Sequence, residues 1–277
     1  MATRRRRRRR RHPPPLRHRR LLFGALVAAL LATGSVALVR IAKPPAPSTC
    51  DVTSASGETY SLSPIQAQNA SIIAAVAYQR QLPDHAVTVA LAAALQESRL
   101  VDLDHGDRDS LGLFQQRPSQ GWGTPAQIMD PDYAATAFYN RLTGVPGWET
   151  LAVGQVAQAV QLSAVPGAYA PWESEARALA RALTGEVPAG LSCRLSAWGG
   201  PAPPSGALSA AAQTEFGTAV LGQTLAAKTG WEVASWAVAH AFQYHLQGVA
   251  FGGESWDSAA GVWRPSAAGG TEVIVRS

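Results

Sequence analysis

The sequence predicts a mainly α protein: one transmembrane helix, then a helical domain, then a small α+β domain at the C-terminus. Three observations carry that class. Leu21 to Val39 is an uncharged apolar run, long enough to cross the hydrocarbon core as a helix. Residues 63–185 are punctuated by cap-plus-proline pairs at Ser63-Pro64, Thr124-Pro125 and Asp130-Pro131, each a helix start. Past a Pro/Gly/Ser-rich stretch from Gly199 to Gly206, the pattern changes to one apolar helix and short β-branched runs.

Residues 1–20 form a basic tail and 21–41 the expected membrane helix. The whole chain has a net charge of +5, but residues 1–43 hold 13 of its 24 Lys and Arg and no acids. The remainder therefore carries 11 basic and 19 acidic side chains, a net of −8. Nucleic-acid binding by the folded part is disfavoured, because it lacks a basic footprint. The polyarginine run from Arg4 to Arg11 fixes the N-terminus in the cytoplasm by the positive-inside rule and can also meet anionic lipid heads. The C-terminal domains are then extracytoplasmic. Ser35-Val36-Ala37 also fits a small-residue cleavage site, so a removed signal peptide stays open beside a retained anchor.

Residues 42–61 read as a Pro-rich linker, with Lys43 to Ser48 a stiff, extended spacer. Residues 62–187 follow as the helical domain. An amphipathic helix runs from Ser63 to Gln81, and Pro83-Asp84 starts a second that ends near Glu97. From Ala86 to Leu95 nearly every side chain is apolar, which predicts a core helix without a wet face. A short helix after Thr124 and one from Asp130 to Leu142 come next, then Leu151 to Leu162 and Trp172 to Leu183. Residues 188–206 read as a second linker and 207–277 as the α+β domain, with a helix from Trp231 to Leu246. Its strands are expected at Val249 to Phe251, Val262-Trp263 and Val273 to Val275. Trp231, Trp236, Trp256 and Trp263 read as core residues rather than sugar platforms.

Glu97 is the chemical centre of this pattern. A carboxylate at the C-terminal end of an apolar helix faces unpaired carbonyls and partial desolvation, both of which favour the protonated form that a general acid needs. A Gly/Asp-rich loop follows at short range: Gly106-Asp107-Arg108, then Gly112-Leu113-Phe114-Gln115. Asp102, Asp104, Asp107 and Asp109 do not make an EF-hand, since Asp107 and Leu113 stand where glycine and glutamate would be required. His240 and His245 are five apart and do not form a metalloprotease pair. Cys50 and Cys193 bracket the helical domain; they permit a disulfide in an oxidising compartment and equally permit two free thiols.

These residues resemble the lysozyme-like superfamily of lytic transglycosylases and goose-type lysozymes. There a helix ends in Glu-Ser, with the glutamate catalytic, and a later Gly-Leu-Met-Gln segment lines the sugar cleft. Glu97-Ser98 and Gly112-Leu113-Phe114-Gln115 match that order, with Phe114 in place of methionine. The resemblance implies Glu97 and Asp107 as catalytic residues, Asp107 helping to place an attacking water. It implies Ser98, Gly112, Leu113, Phe114, Gln115 and Gln161 as substrate-binding residues, peptidoglycan glycan strands as the substrate, and no cofactor.

Two positions depart from the family pattern. Gln158-Ala159-Val160-Gln161 stands where transglycosylases carry Ala-Tyr-Asn, so the tyrosine beside the glutamate is missing, and Arg117 stands where goose-type enzymes carry an aspartate. Tyr139 and Tyr169 are candidates to replace the tyrosine. The alternative reading is an inactive wall-binding or scaffold protein with the same cleft.

Overall fold

The first regular structure after the proline-rich stretch is a strand. The computed structural model describes residues 46–277 except 164 and 166. Strand β1 (Thr49–Thr53) turns into β2 (Thr59–Leu62), pairing Cys50 with Leu62 and Val52 with Tyr60. On its other side β1 pairs antiparallel with β3 (Leu191–Arg194), placing Cys50 directly opposite Cys193. The two sulfurs form a disulfide, which settles the alternative left open by the sequence.

Eight α-helices are described. They are α1 (Pro64–Gln79), α2 (Asp84–Ser98), α3 (Pro125–Ile128), α4 (Pro131–Leu142), α5 (Val153–Gln161), α6 (Glu173–Leu183), α7 (Ala207–Phe216) and α8 (Ala227–Tyr244). Their starts follow local chemistry. Ser63 Oγ accepts from the Gln66 N–H while Gln66 Oε1 accepts from the Ser63 N–H, a closed capping box, and Thr124 and Gln127 repeat it. Asp130 Oδ1 accepts from the N–H groups of Asp132 and Tyr133 at the head of α4.

The amphipathic expectation for α1 does not hold. Ala70 to Ala77 are buried on every face, because α8, α4 and α2 all pack against this helix. In α2 every residue from Ala86 to Leu95 is at most 2% exposed, as an all-apolar run requires.

A second antiparallel sheet has the order β6-β5-β4-β7, built from β4 (Gly248–Phe251), β5 (Glu254–Asp257), β6 (Val262–Pro265) and β7 (Ile274–Arg276). It joins the first sheet through indole donors: Trp256 Nε1 to the Cys193 carbonyl at 3.1 Å and Trp263 Nε1 to the Leu191 carbonyl at 2.8 Å. Buried Trp231, Trp236 and Trp256 and partly buried Trp263 are packing residues, as the sequence suggested.

The mainly α class is therefore corrected to α+β. Both stretches read as linkers, 42–61 and 188–206, contribute strands to one sheet, and the C-terminal residues share a single buried cluster with the helices. Residues 46–277 form one compact unit. The missed strands are four or five residues long, too short for their alternation to register: Cys50, Val52, Leu62, Leu191 and Cys193 point inward between exposed or half-buried neighbours. The expected span at Leu21 to Val39 and the basic tail lie outside the described residues. Among the described residues, no helix is long and apolar enough to cross a membrane.

Candidate functional site

Glu97 is placed by a helix that cannot rotate and by a sharp exit from it. The buried run of α2 fixes the helix about its axis, leaving Glu97 half-buried at the end. Arg99 and Leu100 then adopt left-handed conformations, with φ of 57° and 60°. Such backbone costs roughly 1–2 kcal/mol per non-glycine residue and persists only where neighbours over-determine it. The neighbours are on α1: Gln66 Nε2 donates to the Arg99 carbonyl at 2.7 Å, and Asn69 Nδ2 to the Leu100 carbonyl at 2.8 Å. Leu100 is itself fully buried.

The Gly112–Gln115 loop is closed by a two-way backbone pairing of Leu111 with Gln116, at 3.0 and 2.9 Å. Gly112 has φ +76°, and a Cβ there would stand 2.6 Å from the Ile128 carbonyl oxygen, so conformation and space both require glycine. Ser98 Oγ donates to the Leu113 carbonyl at 2.7 Å. Gln161 Nε2 donates to the Phe114 carbonyl at 2.8 Å. The residue after the glutamate and the last residue of α5 thus hold adjacent carbonyls of the same loop.

This placement changes several expected roles. Leu113 and Phe114 are fully buried, Phe114 stacking on Phe138 with ring centroids 4.7 Å apart. Their side chains are core residues that anchor the loop and cannot touch a ligand. Ser98 and Gln161 position that loop with the polar atoms they would have offered to a sugar. Gln115 is half-buried and its Nε2 also serves the loop, donating to the carbonyls of His105 and Gly112 at 3.3 Å each; among the described residues nothing donates to its Oε1.

Of the two candidate tyrosines, Tyr169 is the one that reaches Glu97. Its hydroxyl donates to Glu97 Oε1 at 2.6 Å, and the ring is 1% exposed. Burial and then the Glu97 hydrogen bond raise the phenol above its ordinary range, so it stays a donor throughout the physiological window. Among the described residues, nothing donates to Glu97 Oε2. Tyr139, the other candidate, is a core residue that donates to the Ile73 carbonyl at 3.0 Å. Trp172 packs at the end of α2: Nε1 donates to Gln96 Oε1 at 2.7 Å, and the Arg99 guanidinium lies 3.8 Å above its ring. Trp172 went unrecognised because nothing local marks it.

Asp107 is not fixed in the site. Its side chain is 91% exposed and, among the described residues, pairs only with Arg108 Nε, at 4.0 Å. The held carboxylate of this loop is Asp109, which accepts from Arg117 Nε at 2.8 Å, the Ser119 N–H at 2.8 Å and Ser119 Oγ at 3.0 Å. Ser119 first, through its hydroxyl and its N–H, and then Arg117 keep the Asp109 carboxyl well below the usual carboxylate range. The arginine that departs from the goose-type pattern is therefore a loop staple. Asp102 lies behind Gly112 with Oδ1 buried; burial, and then Asp130, push it up to about 6. Among the described residues, no three His, Cys, Asp or Glu side chains converge as metal ligands.

Glu97 thus has one carboxylate oxygen held by a buried phenol and, among the described residues, one without a donor. No protein-family model matches this chain, and no curated protein matches it.

Proposed function

We propose that this protein cleaves the β-1,4-linked glycan of peptidoglycan, with Glu97 as general acid and then general base. The observation that carries this reading is the hydrogen bond from Tyr169 to Glu97, beside a glycine-containing loop held by Ser98 and Gln161. A tyrosine beside Glu97, absent from the Gln158–Gln161 stretch, supports this reading over the inactive alternative.

In this mechanism Oε2 carries the transferable proton, because Oε1 is occupied by the phenol. Protonation of the glycosidic oxygen releases the leaving sugar as the bond to C1 breaks. Glu97, now a carboxylate, takes the proton from the C6 hydroxyl of the glycosyl unit, and O6 closes on C1 to give a 1,6-anhydro ring. Each step moves one proton to or from Glu97 and leaves it protonated at the end. The hydrolytic route needs a second carboxylate fixed on the opposite face to activate water. Asp107 stands loose in solvent, which favours the transglycosylase route.

The disulfide supports an oxidising compartment, where this substrate lies. Incubation of the protein with peptidoglycan, followed by mass analysis of released fragments, tests the reading. Anhydro-ended fragments are expected. Retention on the glycan without release would make it a wall-binding protein.

A further inference from the structure

A second feature lies where α1, α2 and α8 meet, on residues that take no part in the Glu97 site. A cavity of about 470 Å³ opens there, within the size range of small-molecule pockets. Tyr78, Leu82 and Phe216 give it an apolar wall, with Tyr78 and Phe216 packed edge to face at 5.3 Å. Its charged lining comes from Asp84 on α2 and from Lys228 and Glu232 on α8; the Tyr78 phenol is its other titratable group.

An ionised Glu232 has no counter-charge of its own in this cavity. Lys228 Nζ donates to both Asp84 oxygens, at 3.0 and 3.2 Å, so that pair is neutral within itself. Glu232 is 7% exposed, and among the described residues nothing donates a hydrogen bond to its carboxylate. Burial pushes it up to about 8, with Lys228 lowering and Asp84 raising it. Thr184, also lining the cavity, is 5% exposed, and its Oγ1 has no partner among the described residues.

Close packing ties these two residues together through their backbones. Gly185 has φ +68°, and a Cβ there would lie 2.0 Å from the Lys228 carbonyl oxygen and 2.9 Å from the Glu232 nitrogen. The turn carrying Thr184 is thus pressed onto the backbone that carries Glu232. An unpaired buried carboxylate is costly, and this one faces open space instead of packing.

We propose that the cavity binds an organic monocation, an ammonium or guanidinium group on an aliphatic stem, with Glu232 as counter-ion and Thr184 Oγ1 as acceptor. The stem lies along the Tyr78–Phe216 wall. A hard inorganic cation would want six or more oxygen ligands, which this half-apolar lining does not offer. An anion would find its one ammonium already held by Asp84. The site is independent of the glycan reading.

Calorimetric titration of the full-length protein with n-pentylamine tests the proposal. Binding is expected to weaken about tenfold or more in Glu232→Gln, since the counter-ion is removed at nearly constant volume. n-Pentanol, with the same stem and no charge, should bind correspondingly more weakly. Below about pH 8 the cation must displace the Glu232 proton. The amine itself stays charged, with a pKa of about 10.4, like lysine. Affinity should therefore rise from pH 6 to pH 8, by up to about tenfold per unit, and then level off. Should Glu232→Gln fail to fold, that wild-type pH series and a several-fold weakening in Thr184→Val carry the same test. Absence of amine binding at millimolar concentration, equal binding of n-pentanol, or a flat pH series would overturn the proposal.

Discussion

The Tyr169 hydroxyl donates to Glu97 Oε1 at 2.6 Å, joining two residues 72 positions apart. It gives the carboxylate one fixed oxygen and one free one. Glu97 is thereby oriented by a group that cannot ionise in the working range, while the fold of α2 sets its depth.

Tyr169→Phe should fold, because the ring stays packed. It loses a part-buried hydrogen bond, a difference of about 0.5–1.5 kcal/mol in urea unfolding. Glycan cleavage should fall by roughly tenfold as the carboxylate loses its orientation, on the same order as a 1.4 kcal/mol change in barrier. Cleavage unchanged in this variant would show that the phenol has no part in the chemistry.

Glu97→Gln should abolish measurable cleavage and leave glycan binding and the melting profile near wild type. Gln is nearly isosteric and cannot donate the proton the leaving oxygen needs. General acid catalysis contributes about 10²–10⁴-fold, so the loss will be well resolved in a fragment-release assay. Equal release by wild type and variant would remove Glu97 from the mechanism.

Asp107→Asn distinguishes the two routes to cleavage. With its carboxylate in solvent, the transglycosylase route predicts only a mild change in release rate and unchanged anhydro ends. A severe loss with reducing-end products would instead assign the protein to the hydrolases.

Reduction of Cys50–Cys193 should destabilise the protein substantially. The bridge closes a separation of 143 residues, for which the chain-entropy model gives about 4–5 kcal/mol. Native protein should resist thiol alkylation, and reduced protein should take two labels and melt earlier. Labelling of unreduced protein would show free thiols.

Stability should fall with rising pH around Glu232. Its carboxyl, ordinarily near 4.5, is raised to about 8 by burial, so the folded state binds the extra proton across that window. The resulting stabilisation is fully present below about pH 4.5 and is lost as pH rises through about 8. Its upper limit is about 5 kcal/mol at 1.36 kcal/mol per unit. Urea unfolding at pH 5 and pH 9 should show a smaller drop in Glu232→Gln than in wild type.

Three helix starts and the position of the carboxylate were legible in the sequence, whereas the helix Ala207–Phe216 was not expected and the one expected from Trp231 begins at Ala227. Ser63 with Gln66, Thr124 with Gln127, and Asp130 with the N–H groups after it are contacts within three residues, so their chemistry is legible along the chain. The unbroken apolar run before Glu97 likewise announced a buried helix with one acid at its end. Tertiary structure alone decided which tyrosine reaches Glu97, which aspartate of the loop is held, and that Ser98 and Gln161 serve the loop instead of a sugar. It also decided the sheet that joins Cys50 to Cys193 and draws residues 207–277 into one core. Those outcomes rest on partners tens of residues away. A short strand or a lone polar side chain takes its energy from whatever the fold places opposite it, and nothing in the neighbouring residues encodes that partner.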